Sequence, residues 1–114
     1  ILGHMTGRLL LSREGYPVNH DQLIDACMEH NVVIELNAHP RRLDIVWQHI
    51  GYLLRQGGII SIDPDAHSVA GYADIRYGVL TAQKAGVTAA QNLSSYSLGE
   101  FEDYLQKIKR LKRI

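Results

Sequence analysis

The chain has 114 residues, 46% of them hydrophobic and 21% charged, with a formal net charge of zero. Those values describe one domain with an ordinary core and exclude disordered and collagen-like classes. A neutral balance supplies no long-range field for a polyanion, so any contact with nucleic acid has to come from a local basic patch.

The opening "ILGH" reads as the second half of a buried strand, which leads us to expect part of something longer. "GHM" is also the remnant that expression vectors leave ahead of an insert, in which case His4 would carry no meaning. "VNHDQLIDACMEHN" places Leu23, Ile24, Cys27 and Met28 on one helical face, with Asn19 or Asp21 as its cap. "VVIELN" follows as a buried strand. "RRLDIVWQHIGYLLRQGG" carries Leu43, Val46, Trp47, Ile50, Leu53 and Leu54 at helical spacing and stops at Gly57-Gly58. "IISI" is the third strand. "VAGYADIRYGVLTAQKAG" is a helix ending at Gly86, and "SLGEFEDYLQKIKRLKRI" a fourth, with Ser97 and Glu100 in capping-box spacing. The order β, α, β, α, β, α, α points to an α/β fold with parallel strands joined by right-handed crossovers.

Cys27, the single cysteine, cannot form an internal disulfide and reads as a small buried apolar residue. No apolar run reaches the roughly 18 residues of a membrane span. Both readings lead to the expectation of a cytoplasmic protein without a membrane partner.

Parallel α/β folds build their sites at the carboxyl ends of strands. His4 ends the first strand, Asn37 the second, and Asp63 and Asp65 follow the third. Side chains alternate along a strand, so Glu35 and Asn37 share one face and Ile34 and Leu36 the other. A carboxylate facing a strand interior needs a partner, either at a site or in an arginine such as Arg41, Arg42 or Arg76. Asp65 and His67 in "DPDAHS" stand one residue apart, so an extended segment lets both reach a common ion, while the same residues also suit a plain turn.

His39 reads as a loop histidine, and His20, His30 and His49 as solvated or capping residues on helices. Trp47 reads as core rather than a platform for bases. Arg8, Arg13, Arg41 and Arg42 lie where a phosphodiester backbone could be touched, against the alternative of ordinary solvated surface. The basic run "KIKRLKRI" suits the end of a helix dipole.

Four stretches, "ILGHMTGRLLLSREGYPVN", "IELNAHPRRLDIVWQHI", "ISIDPDAHSVAGYADIRYGVLTAQKAGV" and "NLSSYSLGEFEDYL", together resemble the C-terminal part of a PHP (polymerase and histidinol phosphatase) domain. The likeness is greatest to the one carried by bacterial family X DNA polymerases, and it favours "ILGH" as native sequence. Met5 and Pro64 stand where the family's usual "HPTGRLL" and "TDAH" have proline and threonine.

The resemblance implies a partial (β/α) barrel, the C-terminal portion of a distorted seven-stranded PHP barrel, spanning residues 1–114 as a single unit. It implies His4, Asp65 and His67 as metal ligands, with Asp65 and His67 the catalytic pair and Glu35 and Asn37 beside the metals. Arg8, Arg41, Arg42 and Arg76 are its candidate DNA contacts. The implied cofactors are divalent ions, Mn2+ or Zn2+ with Mg2+ as a further choice, up to three in a complete domain.

The implied partner is DNA, met through a parent protein that combines repair synthesis with 3′-5′ exonuclease or 3′-end phosphoester hydrolysis. The rest of the ligand set and the polymerase domain are expected outside this chain. The fragment alone is therefore expected to be inactive, and its open edges to favour self-association. A free-standing PHP phosphatase and a non-catalytic scaffold are the other readings.

Overall fold

A computed structural model describes residues 1–113. It is a mixed α/β fold with a two-stranded parallel sheet and four α-helices: α1 (His20–Glu29), β1 (Ile34–Asn37), α2 (Trp47–Arg55), β2 (Ile60–Asp63), α3 (Ile75–Lys84) and α4 (Leu98–Leu111). The strands pair Ile34 with Ile60, Glu35 with Ser61, Leu36 with Ile62 and Asn37 with Asp63.

The expected first strand contracts to one parallel bridge, Leu2 to Ile34. Leu2 N–H donates to Val33 O at 2.8 Å and Leu2 O accepts from Glu35 N–H at 3.0 Å. The ladder stops there because His4 takes a left-handed φ of 26° and turns the chain away. Asn92 bridges Ile60 on the other side. Four backbone segments thus lie side by side in the order Leu2, β1, β2, Asn92, and no closed barrel forms among the described residues.

The apolar face of the sheet, Ile34, Leu36, Ile60 and Ile62, packs with Ile24 and Cys27 of α1, Ile50 and Leu53 of α2, and Ala82 of α3. Burying each aliphatic side chain of this kind contributes about 1.5–3 kcal/mol. Cys27 is buried, as its position on the apolar face of α1 implied. Trp47 packs against this cluster, with the Lys84 ammonium 4.4 Å from its ring centroid.

The caps follow the sequence closely. Asn19, rather than Asp21, caps α1 by accepting from Gln22 N–H at 3.0 Å. Ser97 and Glu100 form both bonds of the capping box on α4. Gly57 and Gly86 take left-handed φ values of 80° and 81°, which only glycine adopts without strain.

Two helices are shorter than their periodicity predicts. The helix expected from Arg41 begins at Trp47, because Leu43 has φ 44° and Asp44 forms an antiparallel bridge with Asn37. That detour drives Ile45 fully into the core, a position the helical pattern passed over. The helix expected from Val69 opens as a 3-10 turn, Ala70–Asp74, before α3. No helix among the described residues is long and apolar enough to cross a membrane.

Candidate functional site at the carboxyl edge

The second face of the sheet is polar. Glu35, Asn37, Ser61 and Asp63 alternate with the core isoleucines and leucine, and Asn37 and Ser61 are buried there. Each needs a partner, and each has one. Asn37 Nδ2 donates to Asp65 Oδ2 at 3.2 Å and to Glu35 Oε2 at 3.4 Å. Ser61 Oγ donates to Asp63 Oδ1 at 2.9 Å.

Glu35 Oε2 also accepts the backbone N–H of His4 at 2.7 Å. Burial pushes the Glu35 carboxyl above its ordinary value, and the neighbouring Asp63 charge adds to the rise. The His4 N–H and the Asn37 amide favour the ionised form and oppose that rise. Among the described residues Glu35 is satisfied by the His4 N–H and the Asn37 amide, not by Arg41, Arg42 or Arg76, the arginine alternative drawn from the sequence. Asp63 joins this polar face, and its place two residues beyond Ser61 on the strand was the available sequence signal.

Asp65, just past β2, has φ 54°. Its Oδ2 lies 3.3 Å from Arg42 Nε. His67 Nδ1 stands 2.7 Å from Asp65 O and 3.8 Å from Asp65 Oδ1, with the side chain 84% exposed. Asp65 and His67 are therefore neighbours, together with His39, Arg41, Arg42 and Leu9 around an open depression of about 320 Å³. His4 lies outside that depression and meets the network through its backbone. His39 Nδ1 accepts from Arg41 N–H at 3.1 Å, a loop role.

As arranged, these residues do not make a metal set by themselves. No three His, Cys, Asp or Glu side chains among the described residues come together as a group that could hold an ion. One Asp65 oxygen is shared by Arg42 and Asn37, and the His67 ring nitrogen nearest Asp65 is engaged with its carbonyl.

The arginines have local duties. Arg8 donates from Nε to Arg42 O at 2.7 Å and from Nη2 to Leu43 O. Arg13 donates to Gly7 O at 2.7 Å. Arg41 Nη2 donates to Ser12 Oγ. Arg42 pairs with Asp65 and reaches Arg8 O at 3.4 Å. Arg76 donates to Tyr77 OH at 2.7 Å, with its guanidinium 4.7 Å from the Tyr77 ring centroid. Arg8, Arg41 and Arg42 therefore cross-link two loops, residues 4–16 and 39–44, and Arg13 braces the first of them internally.

Two histidines depart from their expected role. His20 and His49 stack with centroids 3.7 Å apart and planes 5° from parallel, joining α1 to α2. Burial, then the His49 charge, lowers the His20 pKa from its ordinary 6.5, against smaller upward pulls from Asp44 and Asp21. Equal helical spacing cannot reveal such a stack, because the two rings come from different helices.

The chain is 36% identical over 107 residues to the DNA polymerase/3'-5' exonuclease PolX of Bacillus subtilis (strain 168). It resembles PolX along nearly its whole length. The alignment takes in 94% of this chain and 19% of PolX, so the chain spans about a fifth of that relative. No family model matches the chain. Only 7 of the 114 residues lie outside an alignment of 107, so the stretch similar to PolX takes in residues 8–107, and with them both strands and the Asp65–His67 loop.

Proposed function

We propose that this chain is the C-terminal part of a PHP domain of the kind carried by bacterial family X DNA polymerases. The observation that carries the reading is the 36% identity to PolX over 94% of the chain. The parallel β1–β2 pair, with a polar carboxyl edge over an apolar helix-covered face, is compatible with a segment of a (β/α) barrel.

In the whole protein this part serves DNA repair synthesis coupled to metal-dependent 3′-5′ exonuclease or 3′-end phosphoester hydrolysis. His4, Asp65 and His67 are contributed as ligands to Mn2+ or Zn2+, with Mg2+ as a further choice, and the remaining ligands come from elsewhere in the longer protein. Such an ion supplies Lewis acidity and an activated water to phosphoester chemistry. The part played by this chain's own residues is positional. Asn37 spans Glu35 and Asp65, and Glu35 holds the backbone at His4. Arg42 balances the charge of Asp65 in the separate chain.

A non-catalytic scaffold is the second reading, favoured by one observation: Asp65 is already bound by Arg42 and Asn37, and no group of three ligating side chains forms among the described residues. The two readings part in the full-length protein. His67→Ala and Asp65→Asn are expected to abolish metal-dependent 3′-5′ nuclease turnover while leaving nucleotide incorporation intact. Unchanged nuclease turnover in both variants would sink the ligand assignment and leave the scaffold. The 114-residue chain alone is expected to show no metal-dependent nuclease turnover.

A further inference from the structure

The loop that presents His4 is held by a residue that the sequence pattern assigned to a helix. Asp44 is completely buried. Its Oδ2 accepts from Thr6 N–H at 3.0 Å, from Thr6 Oγ1 at 2.8 Å and from Gly7 N–H at 3.1 Å. Its main-chain oxygen accepts from Asn37 N–H at 2.6 Å. One residue therefore grips the turn after His4 with its side chain and the end of β1 with its backbone. Asn37 in turn reaches Glu35 and Asp65.

We propose that Asp44 is a positioning residue for the carboxyl-edge site, setting the His4 turn against the Glu35–Asn37–Asp65 network. This rests on the reading of that edge as a functional site. The chemistry supports a positional role. A buried carboxylate is costly to desolvate and contributes little to stability over an apolar side chain of similar size. An apolar residue could not, however, bind two successive backbone N–H groups and a hydroxyl. Those donors belong to a tight turn, in which Gly7 N–H also donates to His4 O at 2.8 Å and Gly7 has φ 66°. Oδ1 is buried with no partner among the described residues, so the side chain is matched to the turn on one oxygen only. The Arg8 guanidinium bonds to Arg42 O and Leu43 O tie the same two segments together.

The test compares backbone amide exchange in the 114-residue chain and its Asp44→Asn and Thr6→Val variants by NMR. The Ile62 amide, bound to Asn92 Oδ1, is the internal reference for changes in global stability. In Asp44→Asn, the Thr6, Gly7 and His4 amides should exchange about tenfold faster or more relative to Ile62, the scale of a lost hydrogen bond to a charged group. Thr6→Val removes the hydroxyl that donates to Asp44 and accepts from Arg8 N–H at 3.3 Å, serves as the folded variant if Asp44→Asn does not fold, and should accelerate Gly7 by a smaller factor. Acceleration at residues 4, 6 and 7 that merely tracks Ile62, in every variant that folds, overturns the proposal. Zn2+ titration of the wild-type chain, followed at the His4 and His67 ring signals, separates the two levels. Rings that do not respond, alongside loop-specific acceleration, show that His4 and His67 hold no ion in this chain by itself and support Asp44 as the brace of the turn, while the nuclease assays of the full-length variants decide the ligand reading.

Discussion

Asn37 and Asp65, 28 residues apart in sequence, are joined by a hydrogen bond of 3.2 Å from a buried amide to a carboxylate that also pairs with Arg42. Asn37 is 1% exposed. Its backbone and side chain together hold Asp44, Glu35, Asp65 and the His39 amide. Truncation by Asn37→Ala removes the side-chain bonds to Glu35, Asp65 and the His39 amide while the backbone bond to Asp44 stays, and a cost of about 1–3 kcal/mol is expected. Urea unfolding checks it, and a loss below about 0.5 kcal/mol would show that water substitutes for the amide.

The stacked His20–His49 pair makes stability depend on pH with a definite sign. The folded state lowers the His20 pKa, so the unfolded chain binds more protons as pH drops. Stability is then full above the unfolded value of 6.5 and falls as pH descends through it toward the folded pKa. Denaturation midpoints measured at pH 7.5 and 5.5 should differ more in the wild type than in His20→Gln. Equal slopes would remove His20 from the account.

Gly78 lets α3 lie directly on the sheet. A Cβ there would come within 2.5 Å of Ile62 Cγ2 and 2.6 Å of Ala38 Cβ, and both neighbours are buried in the core. Gly78→Ala is expected to destabilise by about 1–3 kcal/mol despite the better helix propensity of alanine. Thermal unfolding reads the effect, and a rise in midpoint would mean the helix can shift outward without loss.

Arg42 competes with any cation for Asp65. Both side chains are partly exposed, at 19% and 26%, so losing the pair in Arg42→Gln should cost no more than about 1 kcal/mol. The same change frees Asp65, and Mn2+ should then broaden the Asp65 and His67 signals at lower concentration than in the wild type. An unchanged Mn2+ response would show that Asp65 is no cation ligand in this chain.

Periodicity was a good guide where one face of one element carried the information. α1, α4 and their caps lie where spacing put them, and Ile34, Leu36, Ile60 and Ile62 form the core as alternation required. It failed over residues 41–46, where Leu43 and Val46 mimic a helical stripe. A bridge from Asp44 to Asn37 and a left-handed Leu43 interrupt that stripe. Both are long-range or backbone facts with no local signature. Met5, in the position of the family's usual proline, went into the core.

The candidate site divides the same way. From the sequence alone came the α/β class, the polar face carrying Glu35 and Asn37, the adjacency of Asp65 and His67, and the likeness to PHP domains. Local chemistry and strand alternation suffice for these. Only the tertiary structure decided which groups satisfy one another: Glu35 with His4 and Asn37, Asp65 with Arg42, Asp44 with the Thr6–Gly7 turn, and His20 with His49. A buried polar group must find a partner, but its type does not say which of many distant donors the packing will bring within 3 Å.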